Sequence, residues 1–107
     1  MPREKFQTLT EQMFYILLCL RETCCGIDIM DRVRNMTGGQ VAVGPGTLYH
    51  LLDEFCEEGM IRETACEGRK RSYLLTERGK AALEAEKRRL ENRLNHYRQV
   101  FGEEDAR

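Results

Sequence analysis

The chain has 107 residues, and its 17 lysines and arginines against 18 acidic residues give a net charge of −1. With 41% hydrophobic residues, this length fits one globular domain and excludes a disordered chain. No apolar run approaches the roughly 18 residues that span a bilayer, and no secretory signal begins the chain, so a cytoplasmic protein without membrane contact is expected. The charge balance argues against coating nucleic acid by bulk charge, but it leaves room for a local basic patch.

The chain lacks the residue patterns of an enzyme or a metal centre. The chain has five cysteines, an odd number, and no two of them form a C-x-x-C pair. Free thiols are therefore expected, and neither a bound metal nor a cofactor is expected. Ser72 is the only serine, and it stands next to no histidine or carboxylate, so no nucleophile–base pair is visible and no catalysis is expected. The adjacent Cys24 and Cys25 are the candidate redox thiols.

Two helices are predicted in the first third of the chain. Thr8, followed by Glu11 three residues later, matches a capping box that begins a helix through the apolar run 13–20. Residues 24–26 are interpreted as a turn, and mixed spacing of three and four indicates a second helix over residues 27–36.

A third helix is the best delimited element of the sequence. Pro45 at its first position and Gly59 beyond its last predict a helix over residues 44–58. Its buried stripe is expected to comprise Leu48, Leu51, Leu52 and Phe55. A hairpin should follow, with strands at 60–67 and 71–75, and with Tyr73 and Leu75 on one face.

A last helix, capped by Thr76 and running to about Phe101, would be about 39 Å long, which exceeds the width of a domain of this size. Its later apolar positions are spaced 4, 3 and 4: Leu90, Leu94, Tyr97 and Phe101. A protruding stripe of this kind needs a partner, and a second copy of the chain is the simplest one. We therefore divide the chain into a winged-helix part, 1–75, and a dimerisation helix with a charged tail, 76–107.

Three helices followed by a hairpin with a basic tip predict a mainly α fold, a winged helix-turn-helix with a two-stranded wing and a long C-terminal dimerisation helix. In that fold the third helix enters the DNA major groove and the wing reaches the flanking DNA. The candidate DNA-binding residues are Gly44, Pro45, Gly46, Thr47, Tyr49, His50, Arg69, Lys70 and Arg71. Four acids, Asp53, Glu54, Glu57 and Glu58, count against this interpretation unless only the first two turns of the helix enter the groove.

Several motifs together resemble the PadR-like transcriptional regulators over roughly residues 8 to 101. They are the run Gly44-Pro45-Gly46-Thr47-Leu48-Tyr49, the segment Glu58-Gly59-Met60-Ile61, and the stretch from Gly68 to Gly79 that includes Leu75-Thr76. The resemblance implies a homodimeric repressor of the short subfamily, released from a pseudo-palindromic DNA operator by an effector. It also implies that Thr47, Tyr49 and the wing cations face DNA.

The resemblance and the apolar pattern lead to two further expectations. The dimer interface is expected to comprise Phe14, Leu17, Leu83, Leu90, Leu94, Tyr97 and Phe101. A pocket for a small aromatic or hydrophobic effector is expected between protomers, lined by Phe14, Tyr15, Tyr97 and Phe101. These aromatic residues could equally fill the dimer core. Two alternatives stay open: a thiol- or metal-responsive regulator of the same fold, and a winged-helix module that binds protein and no DNA. The acidic helix end and the net charge of −1 favour the second.

Overall fold

The computed structural model describes residues 8–68 and 70–102, without the side chain of Cys66. The predicted wing cation Arg69 and the charged tail 103–107 lie outside the described residues. The elements, in chain order, are α1 Glu11–Cys19, β1 Cys24–Cys25, α2 Gly26–Met36, α3 Pro45–Glu57, β2 Ile61–Glu67, β3 Lys70–Leu75 and α4 Glu77–Phe101. This confirms the predicted mainly α winged-helix architecture.

The first helix begins two residues later than the capping-box pattern predicted. Thr10, and not Thr8, is the N-cap, and its hydroxyl accepts a hydrogen bond from the Met13 amide at 3.2 Å. The side chain of Leu9 is buried in the core, and its N–H donates a hydrogen bond to Glu86 of α4. Leu9 therefore makes tertiary contacts before the helix begins. The predicted cap of the last helix is confirmed, since the Thr76 hydroxyl accepts from the Gly79 amide at 3.2 Å.

The segment interpreted as a turn is instead a third strand. Cys24 and Cys25 form β1, which pairs antiparallel with β3 opposite Tyr73 and Ser72, so the sheet has the order β1-β3-β2. Both cysteines are buried, and buried backbone N–H and C=O groups require partners that the ladder of β3 supplies. The sheet therefore ties the entry to α2 directly to the wing hairpin.

The core lies between the first three helices and the sheet. The predicted stripe of α3 is confirmed, because all four of its residues are buried. It packs with buried residues of α1, α2 and the hairpin, among them Ile16, Leu17, Leu20, Ile29, Val33, Met60 and Tyr73. As expected from strand alternation, Tyr73 and Leu75 are buried, while Ser72 and Leu74 on the other face are half-buried.

The last helix extends beyond this core. At 25 residues α4 is about 37 Å long, and it makes the radius of gyration 15.7 Å, against about 13 Å for a compact chain of this length. Ala82 and Leu83 pack against the core. The four stripe residues of its second half are 41–60% exposed, so this half of the helix has an apolar face that no other described residue covers.

One buried carboxylate links the segment before α1 to α4. Glu86 of α4 accepts hydrogen bonds from the Leu9 N–H at 3.0 Å and from the Arg89 guanidinium. Burial by itself would raise the pKa of Glu86, but the hydrogen bonds from Arg89 and Leu9 and the charges of Arg89 and Arg93 outweigh it and lower the pKa. The ionised carboxylate therefore stabilises the attachment of the segment before α1 to α4.

Candidate DNA-binding surface

The N-terminus of α3 is open and suited to an anion. Gly44 is the N-cap and provides no side-chain hydrogen bond, while Pro45, which has no N–H, occupies the first helical position. The first helical amide that closes back on the chain is that of Leu48, which donates to the Gly44 carbonyl at 2.9 Å. The amides of Gly46 and Thr47 precede this bond, and the helix dipole adds to their preference for a negatively charged group.

The fold itself does not require glycine at the start of α3. Neither Gly44 nor Gly46 has a positive φ, and a Cβ atom built on either would meet no heavy atom within 4 Å. Thr47 is likewise exposed. What the two glycines provide is a bare backbone, which something outside the chain can approach closely.

Tyr49 lies over the N-terminus of α2. A Cβ atom at Gly26 would come within 2.4 Å of the Tyr49 hydroxyl and 2.8 Å of two of its ring carbons, so the ring rests directly on the glycine. Tyr49 is still 43% exposed, so one side of the ring faces outward. No signal in the sequence indicates this contact, because nothing in the spacing of residues 26 and 49 links the two helices.

A cleft of about 690 Å³ joins α3 to the wing. Its walls come from the start of α2, the outer face of α3 and the start of β3. The lining residues are Cys25, Gly26, Ile27, Tyr49, Asp53, Gly68, Lys70, Arg71 and Tyr73. The structure thus brings Tyr49, predicted from the third helix, together with Lys70 and Arg71, predicted from the hairpin.

The cations of the cleft are anchored by the strand that carries them. Lys70 pairs with Glu67 in the ladder and Arg71 with Cys66, so both lie at the tip of the wing. Burial raises the pKa of the Tyr73 phenol, as do the nearby Glu63 and Cys56, and a hydrogen bond with Arg71 acts in the opposite direction. The phenol therefore stays protonated at neutral pH and helps to hold the Arg71 side chain at the cleft.

The acids of α3 are not all kept away from this surface. His50, on the exposed side, has its Nε2 atom 3.4 Å from the Glu54 carboxylate, and Glu58 lies 4.0 Å from the Arg78 guanidinium of α4. Asp53 lines the cleft beside Tyr49. Asp53 follows Tyr49 by one turn and therefore lies on the same face of α3.

The candidate thiols have surroundings that disfavour reaction. Cys24 and Cys25 are both buried. Burial raises the pKa of the Cys24 thiol to about 11, and nearby Arg32 only partly opposes this shift. The Cys25 thiol lies 3.3 Å from the Asp28 carboxylate, to which it donates. Since the thiolate is the reactive form, these contacts argue against the redox role expected for the pair.

The seven residues expected at the dimer interface lie in three places: the core, a groove beside α1, and the exposed stripe on the second half of α4. Leu17 is fully buried within one chain, so its expected place on an intermolecular surface is wrong: it supports α1 from inside the core. Phe14 and Leu83 line a second groove of about 440 Å³, with Leu18 and Leu75 among its apolar walls and Arg21, Lys80 and Lys87 among its charged residues.

The four aromatic residues expected in an effector pocket do not meet within one chain. Phe14 and Tyr15 contact each other edge to face on α1, and Tyr97 contacts Phe101 on α4. Tyr97 lies 14 residues beyond Leu83, the groove residue of the same helix, which corresponds to about 21 Å. A pocket containing both aromatic pairs would therefore require a second chain.

The described residues form neither a metal-binding cluster nor a membrane span. No group of three or more histidine, cysteine, aspartate and glutamate residues is placed to hold a metal ion in this part of the chain. No helix formed by the same residues has the length and apolar character needed to cross a membrane.

Comparison with known proteins identifies the family of this chain. The model of the transcriptional regulator PadR-like family matches residues 16–85. The transcriptional regulator YqjI of Escherichia coli (strain K12) is 31% identical over 90 residues, which cover 83% of this chain and 44% of that protein, so the chain spans less than half the length of this relative.

Solved structures show the same architecture. RosR of H. salinarum is 22% identical, with a TM-score of 0.69 over 95% of this chain and 98% of that one. PadR of Bacillus subtilis, in complex with operator DNA, is 29% identical, with a TM-score of 0.57 over 66% of this chain and 42% of that one. The family match covers more than half of the chain, including α2, α3 and the wing that form the cleft. The chain therefore belongs to the PadR-like family of transcriptional regulators.

Proposed function

We propose that this chain binds double-stranded DNA as a homodimer and represses transcription from a pseudo-palindromic operator. The observation that carries the proposal is the convergence of three features on one surface: the open N-terminus of α3, the exposed Tyr49, and the wing cations Lys70 and Arg71. The B. subtilis PadR structure, solved with operator DNA, supports duplex DNA as the partner of this surface.

In this arrangement each feature has a distinct task on the duplex. The amides at the start of α3 meet a backbone phosphate, which Gly44 and Gly46 allow to approach closely. Thr47, Tyr49 and His50 supply uncharged donors to phosphates or base edges inside the major groove. Arg69, Lys70 and Arg71 contact the DNA that flanks the groove, as wing residues do in other winged-helix proteins.

A second copy of the chain is the partner that fits the uncovered half of α4. An antiparallel pair in which Leu90 faces Leu94 of the partner subunit also places Leu83 opposite Phe101 of the partner subunit, because both pairs share one midpoint at residue 92. This symmetry buries the same patch on both subunits. It also sets the two winged-helix units on opposite sides of that midpoint, with the starts of the two α4 helices about 45 Å apart.

The DNA proposal is tested with duplexes selected by the protein from a random-sequence pool. Affinity is then measured at several salt concentrations for the wild type, for a triple alanine variant at residues 69 to 71, and for Arg88→Ala. Each lost phosphate contact should reduce the magnitude of the salt slope by about 0.9. The control residue lies on α4, away from the cleft, and should leave the slope unchanged. A triple variant that binds as tightly as the wild type would show that the wing does not contact DNA.

The dimer proposal is tested by the mass of the protein in solution. Leu94→Glu places a charge in the apolar stripe and is expected to convert the dimer to a folded monomer, because each charge would be buried against Leu90 of the partner subunit. Asn92→Glu introduces the same charge on the other side of α4 and should leave the dimer intact. A wild type that is monomeric at micromolar concentration would refute the proposal.

Release by a small apolar or aromatic effector is the remaining part of the proposal. The groove beside Phe14 and Leu83 has apolar walls and lies where α1 meets α4, so a ligand bound there would contact the dimerisation helix directly. Small aromatic carboxylates and hydrophobic amines are suitable probes, with thermal unfolding as the first measurement and operator release as the second. A ligand that raises the melting temperature without changing operator affinity would not be an inducer.

A further inference from the structure

We propose that Asp53 determines the sequence specificity of the DNA-binding surface, by repelling DNA that offers only phosphates and by accepting a hydrogen bond from a base amino group. This inference rests on the proposed function, since it assigns a role within the same surface. It gives a function to an acidic residue that otherwise counts against DNA binding.

Asp53 lies on the wall of the cleft. It follows Tyr49 by one turn of α3 and lines the cleft that contains Lys70 and Arg71. Its side chain is exposed, so it faces whatever enters the cleft. A carboxylate at this point lies between the major-groove face of α3 and the wing.

Asp53 makes no visible contribution to holding the described fold together. Among the described residues, it makes no hydrogen bond and no ion pair, whereas Glu54 and Glu58 of the same helix lie close to His50 and Arg78. Burial raises the pKa of the Cys56 thiol, and the Asp53 carboxylate one turn earlier adds to this rise, which gives the fold no stabilising contact. The fold therefore gains nothing visible from a negative charge here, and the charge is available to a partner.

A carboxylate that faces DNA has two opposing effects on binding. A phosphate about 7 Å away is repelled, which weakens binding of any sequence. A carboxylate is also a strong acceptor, and among the groups in the major groove it pairs with the N4 amino group of cytosine. A sequence that presents this amino group to Asp53 compensates for the repulsion, and a sequence that does not is rejected. The same residue thus lowers non-specific affinity and raises the preference for one base pair.

Two substitutions separate these two effects. Asp53→Asn removes the charge but keeps a polar side chain, and asparagine pairs with adenine N6 and N7 in the major groove. Asp53→Ala removes both the charge and the acceptor. Glu57→Gln is the matched control, because this exposed glutamate lies on the same helix but outside the cleft.

The probes are an unselected duplex pool of random sequence and the sequences that each protein enriches from it. Both Asp53 variants should bind the unselected pool about threefold more tightly than the wild type. At one position of each half-site, the wild type should enrich cytosine, Asp53→Asn should enrich adenine, and Asp53→Ala should show no preference. Glu57→Gln should match the wild type in both measurements.

The inference is overturned if the Asp53 variants bind the unselected pool no more tightly than Glu57→Gln does, or if all four proteins enrich the same bases. Thermal unfolding of each variant ensures that only folded protein is compared. A wild type that binds no duplex in a salt-dependent way would refute the proposed function itself, and that result is distinguishable because it does not depend on residue 53.

Discussion

The contact between Tyr49 and Gly26 leads to a prediction in which DNA affinity and protein stability respond differently to one methyl group. In Gly26→Ala the new Cβ atom would lie 2.4 Å from the Tyr49 hydroxyl and 2.8 Å from the nearest ring carbons. Contacts that short cannot persist, so one of the two groups has to move. Tyr49 is 43% exposed and its ring ends a flexible side chain, whereas Gly26 is held in the first turn of α2 beside β1. We therefore expect the ring to swing away from the cleft.

The expected magnitudes follow from this movement. Alanine is a better helix former than glycine by up to about 1 kcal/mol, so the free energy of unfolding should stay within about 1 kcal/mol of the wild-type value. Displacement of the phenol removes one hydrogen bond to DNA, which contributes about 1 kcal/mol, or about fivefold in Kd. Stability should thus be nearly unchanged or slightly raised while operator affinity falls.

A double-mutant cycle identifies the route of the effect. Urea unfolding and fluorescence anisotropy with a selected duplex are measured for Gly26→Ala, Tyr49→Phe and the combination. If the alanine acts through the displaced hydroxyl, it should have little further effect once Tyr49→Phe is present, and the two changes should be strongly non-additive. Equal affinity of Gly26→Ala and wild type would refute the reasoning. A loss of more than about 2 kcal/mol in stability would show that the ring cannot move and that the helices separate instead.

Three further predictions concern stability and reactivity. Gly79→Ala would place a Cβ atom 2.2 Å from the Met60 carbonyl oxygen, and we expect it to lower the free energy of unfolding by about 2 kcal/mol. Gly46→Ala, where the new Cβ atom meets open space, should change the free energy of unfolding by less than about 1 kcal/mol. Equal effects of the two variants in urea unfolding would contradict this prediction. Because folding lowers the pKa of Glu86, its contribution is present at neutral pH and is lost as the pH falls through the range of the folded carboxyl. Glu86→Gln should therefore flatten the acid side of the stability profile, and a slope equal to that of the wild type would show that the carboxylate is not stabilised by its partners. Cys24, with a pKa raised to about 11, should resist iodoacetamide at neutral pH in the folded protein and react in urea, as measured by peptide mass spectrometry; rapid labelling of the folded chain would support the thiol-responsive alternative.

The main helices and the hairpin were predictable because their signals are local. Pro45 and Gly59 bound α3, the spacing of its four apolar residues identifies its buried face, and Thr76 caps α4 as expected. The overhang of α4 could also be predicted, since a helix of that length exceeds the width of the domain. Thr8 matches the local capping-box pattern, but the helix begins after Thr10, because Leu9 is buried in the core and its N–H is bonded to Glu86.

The remaining features depend on contacts between residues far apart in the sequence. The cysteine pair at 24 and 25 has the local pattern of a turn, and it becomes a strand only because β3 lies alongside it. The same tertiary arrangement places Leu17 inside the core, Asp53 in the cleft, and Gly26 under the ring of Tyr49. By itself, therefore, the sequence determined the four helices, the hairpin and their order, and it indicated candidate DNA-binding residues, since periodicity and capping act within a few residues. Only the tertiary structure decided which of those residues share one surface, because that depends on how helices and strands pack across the whole chain.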